Sequence, residues 1–343
     1  MSELSKIRDN YDVVIIGAGP AGLSCANALG GSKLKVLVIE QKRIIGPKTC
    51  AGGLTALNGL LEIPSSKYLS FKKQKMILNN AEYEINLVNP LKTISRLDLG
   101  KHQLSLIRRF SNITIKKSVK VKEIGNNFVL TNKNERMYFK KLVGGDGSNS
   151  IVRRFLGLEN RFYIGVQYII PGAHNEPVWF LNPRLLRSGY GWIFPHKRFT
   201  SAGVYFNPKI ISSKKARESL YKLLNDYGFD ISDAKFECAP INTLFNGFKF
   251  GNISLIGDAA GLASANTGEG ISYAITSGHD IGKYIINEAY NFDKINEIIK
   301  YKKRQEFVLK IFDTVSIPVI QTMMFKIFIR LIKQPKFQKF YGN

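Results

Sequence analysis

Cysteine is scarce in this 343-residue chain, and acidic residues are far outnumbered by basic ones. The three cysteines, Cys25, Cys50 and Cys238, share neither a paired nor a metal-ligand spacing, so neither a disulfide framework nor a zinc site is indicated. No uninterrupted apolar run is long enough to cross a bilayer. The first, Val13–Ile16, follows an acid at Asp12 and stops at a glycine, unlike the core of a signal peptide, and a cytoplasmic enzyme is the expectation. Only 26 acids stand against 50 lysines and arginines, a formal net charge of +24. Such an excess suits anionic partners such as nucleic acid, lipid head groups or phosphorylated substrates; it equally suits a lysine-rich bias spread over the surface. The basic residues are dispersed and no recognition motif accompanies them, so nucleic acid is not expected as a partner. Repeats and low-complexity segments are also missing. What remains, 44% hydrophobic and 22% charged, is the composition of a folded protein with a sizeable core.

Two glycine motifs lie far apart in this chain. Tyr11–Ile16, with the apolar run Val13–Ile16 at its end, reads as a buried parallel strand and enters Gly17-Ala18-Gly19-Pro20-Ala21-Gly22. A helix follows over 20–29, stopped at Gly30-Gly31, and a second strand over 34–39 ends on Glu40. Gly17 permits the tight turn, Gly19 lets the backbone approach a pyrophosphate, and Gly22 lets helix and strand pack closely. The helix N-terminus offers partial positive charge to phosphates. Glu40 is placed to accept from both ribose hydroxyls and would repel a 2′-phosphate.

This half alone does not separate NAD from FAD. The second motif, Gly257-Asp258-Ala259-Ala260-Gly261, follows another apolar strand and places Asp258 to meet a ribityl chain. Gly268-Glu269-Gly270-Ile271 then opens a long helix, whose N-terminus suits the end of a flavin where reduction builds negative charge. Between them, 142–154 gives a strand, a glycine turn carrying Asp146, and a helix start capped by Ser150. Two remote segments thus close around one extended cofactor, FAD. No second complete GxGxxG exists for a dedicated nicotinamide domain, so the electron donor is expected to be NAD(P)H bound transiently or a reduced ferredoxin.

The intervening stretches read as sheet. Residues 75–78 and 83–88 form a hairpin around Asn79-Asn80; 119–124, 127–131 and 137–143 form a β-meander; 162–170, 178–181, 190–194 and 201–205 build a second sheet. Helices are expected over 98–110, over 213–227 and from 268 onward. The expected fold is α/β: a Rossmann-like FAD-binding domain with a β-meander, an antiparallel-sheet substrate domain and C-terminal helices. The expected division is a discontinuous FAD-binding domain over 10–60, 95–157 and 250–290, a substrate domain over 61–94 and 158–249, and a helical segment over 291–343. Within the last, 316–332 is nearly apolar all round, broken by Pro318, Lys326 and Arg330. It fits either a helix packed on the substrate domain or an interfacial helix whose apolar face dips into lipid while Lys326, Arg330, Lys333 and Lys336 meet anionic head groups.

The GAGPAG series with Glu40, Gly145-Asp146-Gly147 with Arg153, and Gly257-Asp258 resembles the hydroxylase-type FAD flavoproteins. Within them, Cys50-Ala51-Gly52-Gly53-Leu54 and Tyr190-Gly191-Trp192-Ile193-Phe194-Pro195 resemble the geranylgeranyl reductase family, whose archaeal members saturate isoprenoid chains of membrane ether lipids. The resemblance implies cofactor contacts at Gly17, Gly19, Ala21, Gly22 and Glu40, at Cys50, Ala51 and Gly53 beside the isoalloxazine, and at Arg96, Val119, Asp146, Asp258, Gly270 and Ile271. It implies a prenylated lipid as partner and, for activity, hydride transfer from reduced flavin to an alkene carbon with a proton reaching its neighbour; peripheral membrane contact at the inner face is the expectation that goes with the interfacial reading of 316–332. Cys50 is the candidate proton donor or redox-sensitive group, or else a small packing thiol. Tyr190, Trp192 and Phe194 either line a channel for an isoprenoid or belong to ordinary sheet core. His102 and His279 read as structural; His174 and His196 fall in loops with no partner assigned. The chain departs from the family at Arg187, where proline is common, and at Gly100, where an acid is expected. An FAD-dependent monooxygenase or halogenase-like oxidoreductase on the same scaffold, or a non-catalytic flavoprotein, is the alternative. The halogenase fingerprint Trp-x-Trp-x-Ile-Pro is not met, since Tyr190 and Phe194 stand at the differing positions.

Overall fold

The computed structural model describes residues 9–54, 59–172 and 174–341. The parts of the expected segments at 55–58, 173 and 342–343 lie outside the described residues. The chain alternates between two eight-stranded sheets. It begins with β1 (Asp9–Ile16), α1 (Pro20–Leu29) and β2 (Val36–Glu40), a βαβ unit whose strands carry buried side chains on both faces, as parallel strands covered by helices must. Short β3 (Gly53–Leu54) crosses to the other sheet, followed by the long hairpin β4 (Leu69–Leu78) and β5 (Ala81–Thr93). Its turn is made by Asn79 at φ 57°, a left-handed conformation that asparagine tolerates. α2 (Arg96–Ile107) starts where the Ser95 hydroxyl accepts from the Asp98 amide. β6 (Ile113–Lys117), β7 (Val121–Ile124), β8 (Phe128–Thr131) and β9 (Arg136–Gly144) follow, then α3 (Ile151–Phe155). β10 (Phe162–Pro171), β11 (Val178–Leu181), α4 (Pro183–Leu186), β12 (Tyr190–Pro195), β13 (Phe199–Phe206), α5 (Ser213–Asp226) and β14 (Lys235–Asn242) complete the second sheet and its cover. β15 (Lys249–Phe250) and β16 (Ile253–Leu255) return to the first, and α6 (Ile271–Ile286), α7 (Asp293–Thr314), α8 (Pro318–Ile332) and α9 (Pro335–Tyr341) close the chain.

In the first sheet the order is β15-β16-β9-β1-β2-β6, with the β7–β8 hairpin attached to β9. β9 therefore serves twice, antiparallel to β8 and parallel to β1 and β16. The carboxyl ends of β1, β9 and β16 meet at one edge, where Gly145 N–H donates to Ile16 O and Ile256 N–H to Gly144 O. In open α/β sheets that edge is where ligands bind.

The second sheet runs β14-β10-β13-β12-β11-β4-β5-β3 and is antiparallel throughout except for β11 beside β4. Strand alternation splits its side chains cleanly. Val166, Tyr168, Ile193, Ala202, Val204 and Phe206 pack under α5. Tyr190, Trp192, Phe194 and Tyr205 face the other way, toward the first sheet. On that second side β4, β5 and β11 pack against α7 and α8 through Met76, Leu78, Ile85, Leu181, Phe312, Phe325 and Ile329.

The observed elements depart from the sequence in two instructive places. β14 is absent from the expected strands because it is an edge strand with Lys235, Glu237 and Pro240 in it, a composition that edges favour and that weakens any strand signal. β5 runs through Pro90 and ends at Thr93, well beyond 88, because its partners are fixed by the hairpin register. Among the described residues no helix is long and apolar enough to cross a membrane.

Candidate functional site

A cavity of about 780 Å³ lies between the sheet edge and the inner face of the second sheet. At its first-sheet end the wall is main chain. Gly17 sits at φ 98°, and a Cβ there would lie 2.5 Å from Gly145 O. At Gly22 a Cβ would come within 1.9 Å of Gly17 O, so α1 can approach the turn only because this residue is glycine. Pro20 occupies the first turn of α1 and no side chain caps it, which leaves main-chain N–H groups directed at the cavity. Glu40 is held at the rim: Oε2 accepts from Ala18 N–H at 2.8 Å and Oε1 from Lys42 N–H at 2.9 Å.

The middle of the cavity is charged. Lys48 Nζ donates to Asp258 Oδ2 at 2.8 Å, and Ser148 Oγ donates to the same oxygen at 3.2 Å. Burial pushes the Asp258 carboxyl up, but Lys48, with help from Ser148 and Arg96, outweighs it and holds the group below its ordinary value. A Cβ on Gly270 would stand 3.0 Å from Asp258 Oδ1, so the uncapped N-terminus of α6 adjoins this carboxylate. Two cavity residues present buried polar atoms with no partner among the described residues, Arg96 Nε and Asp146 Oδ1. Burial raises the Asp146 carboxyl above its usual range, partly offset by donors from Ser150 and Ile151. Leaving such atoms unpaired is costly, and a ligand rich in hydroxyls and phosphate oxygens relieves it. With the glycine cradle, Glu40 and the helix termini, these groups fit FAD.

Beyond Asp258 the wall becomes aromatic. Cys50, Ala51 and Gly53 form a loop across from Tyr190, Trp192 and Phe194, with Leu87, Leu91 and Trp179 alongside. Trp179 lies 4.8 Å from Tyr190 and 5.3 Å from Phe194, ring centre to ring centre. The Tyr190 hydroxyl donates to Thr267 O, and burial raises it above its ordinary range. Polar atoms here are tied off in a chain: Trp192 Nε1 donates to Ser201 Oγ, which donates to Gln167 Oε1, whose Nε2 donates to Glu237, each at 2.9 Å.

Every cofactor or substrate residue expected from the sequence lines this cavity except Gly22, which packs behind it. Its position matches the close packing of helix and strand that the glycine pattern calls for. Three features escaped the sequence, and a fourth residue, Arg153, was read only as part of a motif and not for its bonds. Lys48 carries no motif of its own. His196, given no partner, bonds Ala51 O through Nε2 at 2.9 Å and stacks on Phe199. Burial lowers its imidazole to about 4, with the Ala51 carbonyl opposing, so it is neutral and props the Cys50 loop. Lys302 of α7 is buried and donates to Thr243 O at 2.7 Å and Ala263 O at 2.8 Å, fastening the segment after Asp258. Arg153, fully buried, donates to the carbonyls of Glu159, Ala259 and Leu244 and to Asn246 Oδ1. The family departures also gain causes. A Cβ at Gly100 would lie 2.6 Å from Gly46 Cα, and Arg187 sits at φ 56°, which a proline ring cannot adopt.

A family model described as pyridine nucleotide-disulphide oxidoreductase matches residues 11–169. An uncharacterized protein of Methanosarcina barkeri is 31% identical over 78% of this chain and 72% of its own length. Digeranylgeranylglycerophospholipid reductase 3 of Methanosphaera stadtmanae is 29% identical over 84% of this chain and 82% of its own. The chain belongs to the geranylgeranyl reductase family of FAD flavoproteins. Its fold is shared with a geranylgeranyl bacteriochlorophyll reductase-like protein of Thermoplasma acidophilum, at a TM-score of 0.79 and 19% identity over 95% of this chain and 92% of that one. A member of this family with this cavity is an FAD-dependent oxidoreductase.

Proposed function

We propose that this flavoprotein saturates isoprenoid double bonds of geranylgeranyl ether lipids. The observation that carries the reading is the continuity of one cavity, from the charged glycine-lined end into the aromatic wall of Leu87, Leu91, Trp179, Tyr190, Trp192 and Phe194. The relative from Methanosphaera stadtmanae bears the name of a lipid reductase, which supports the same substrate class. A bound reduced flavin supplies the hydride for an alkene carbon. The protein's share is positional. Trp192 and Phe194 exclude water and orient an apolar chain, while Gly17, Gly19, Ala21, Glu40, Arg96, Val119, Asp146, Asp258, Gly270 and Ile271 hold the cofactor. Cys50, half-buried on the cavity and with Sγ accepting from Gly52 N–H at 3.4 Å, presents its S–H as the proton donor for the neighbouring carbon. Lys42, Lys120 and Lys122 at the rim offer cations to an anionic electron donor, NAD(P)H or a reduced ferredoxin. A lipid substrate brings the protein to the inner face of the membrane as a peripheral enzyme.

The test is anaerobic incubation of dithionite-reduced protein with an unsaturated geranylgeranyl glycerolipid, read by mass spectrometry. Gain of two mass units per reduced bond is expected. Unchanged lipid, with rapid NADPH-dependent oxygen uptake on an aromatic substrate instead, assigns a monooxygenase. Cys50→Ala is expected to keep the flavin and lose most of the turnover; full activity in that variant removes the thiol from the reaction.

A further inference from the structure

We infer that the outer face of α8, continued by the end of α7, rests on an anionic lipid bilayer. α8 is two-sided, but not in the usual way. Gln321, Phe325, Ile329 and Ile332 are buried against the second sheet, as a surface helix requires. The opposite stripe, where water normally meets charge, carries Val319, Ile320, Met323 and Ile327, and three of these are 60%, 61% and 61% exposed (Val319, Met323 and Ile327). Ile317, just before the helix, and Phe307 and Ile311 on α7 are also exposed. Soluble surfaces seldom leave so many large apolar side chains together without a partner.

Charge decides which partner. From Val315 to Asn343 the sequence holds no aspartate or glutamate, while Lys326, Arg330, Lys333, Lys336 and Lys339 are all present. Each of the five is exposed, and Lys326 and Arg330 border the apolar stripe on its own helix. An apolar stripe edged by cations alone is complementary to a membrane interface, with acyl chains below and anionic head groups around. A second copy of the chain suits it poorly, because a two-fold contact through this face would set cations against cations.

The inner side gives the surface a use. The residues beneath α8 form one layer with Leu87, Trp179 and Tyr190, which also line the cavity. Bilayer contact through α8 therefore brings the aromatic end of the cavity, and not the glycine-lined end, next to the membrane. This orientation rests on the lipid-reductase reading above; the docking surface itself does not.

The experiment is co-sedimentation of the FAD-loaded protein with vesicles of phosphatidylcholine alone or mixed with phosphatidylglycerol, at low and high salt. Binding is expected to the mixed vesicles and to weaken with salt. Met323→Ser combined with Ile327→Ser, both exposed positions that leave the core intact, is expected to lower the bound fraction about tenfold. Lys326→Glu with Arg330→Glu is expected to do the same, whereas Lys133→Glu with Lys209→Glu, an equal charge change elsewhere, leaves binding unchanged. Flavin absorbance confirms folding of each variant. Wild-type protein that stays in the supernatant with both vesicles overturns the inference, as do α8 variants that bind like wild type or a control pair that loses as much. A dimer dissolved by the Met323/Ile327 changes, without vesicle binding, assigns the face to a second copy and overturns it too. Turnover on detergent-dispersed lipid is measured separately: binding without turnover sinks only the proposed reaction, and turnover without binding sinks only the docking surface.

Discussion

At one end of the cavity the walls are main chain, with Gly17 and Gly145 at the surface and Gly22 behind them, packed so closely that a methyl group on Gly17 or Gly22 has no room; at the other they are the rings of Trp179, Tyr190, Trp192 and Phe194. The first end recognises through N–H groups and carboxylates whose positions are set by strand pairing. The second recognises through side chains that can be exchanged while the sheet beneath stays as it is. A cofactor common to a whole family belongs at the first kind of wall, and a substrate that varies belongs at the second.

The largest effect that can break this comparison is at Gly22. Gly22→Val forces a side chain into the 1.9 Å approach to Gly17 O, and the expected outcome is protein without flavin absorbance, or none at all in the soluble fraction. A flavin-loaded Gly22→Val protein would show that the backbone end is less rigid than the packing implies. Next is Arg153→Ala, which strands the carbonyls of Glu159, Ala259 and Leu244. A loss of about 3 kcal/mol or more in urea unfolding is expected from leaving such buried acceptors unpaired.

His196 lies behind the Cys50 loop, bonded to Ala51 O, and its imidazole is held down to about 4 by burial. Because the unfolded chain takes up a proton near 6.5 and the folded protein does not, its contribution is fully present above that pH and is lost as the pH falls toward about 4. His196→Gln, which keeps a donor for Ala51 O, is expected to flatten the fall in melting temperature across that window; the difference is on the order of 1–3 kcal/mol. An identical pH slope in wild type and variant removes His196 from the account. The smallest effect sharpens the contrast from the other side. Trp192→Leu is expected to keep flavin content and to lower kcat/KM on the prenyl lipid by roughly tenfold, as trimming one wall of an apolar pocket does. Loss of flavin in that variant would mean that the two ends are not separable.

The division of materials also explains what could be read from the chain. Gly17-Ala18-Gly19, Glu40, Asp146 and Asp258 were legible because backbone geometry demands those residue types at fixed places after strands. The orientation of Tyr190, Trp192 and Phe194 followed from strand alternation alone. Lys48, His196 and Lys302 were not legible: each acts on a partner distant in sequence, Asp258, Ala51 and Ala263 respectively, and no local pattern marks such pairings. β14 was hidden because its charged, proline-bearing composition is that of an edge. The stretch 316–332 carried two readings: one face of α8 packs as core, as the first expects, and the bare opposite face is the ground on which the second is proposed.

Lys302 gives the C-terminal helices a role that their position in the chain conceals. Its ammonium group, with Glu306 at 3.0 Å, reaches out of α7 to hold the carbonyls of Thr243 and Ala263, and Gln305 beside it accepts from Ser264 Oγ at 2.7 Å. The loop so fastened runs directly to Gly270 and Asp258's side of the cavity. Clipping the chain before α7 would then release a cofactor whose principal cradle lies almost three hundred residues upstream, so that proteolysis at the tail and flavin loss should keep the same clock.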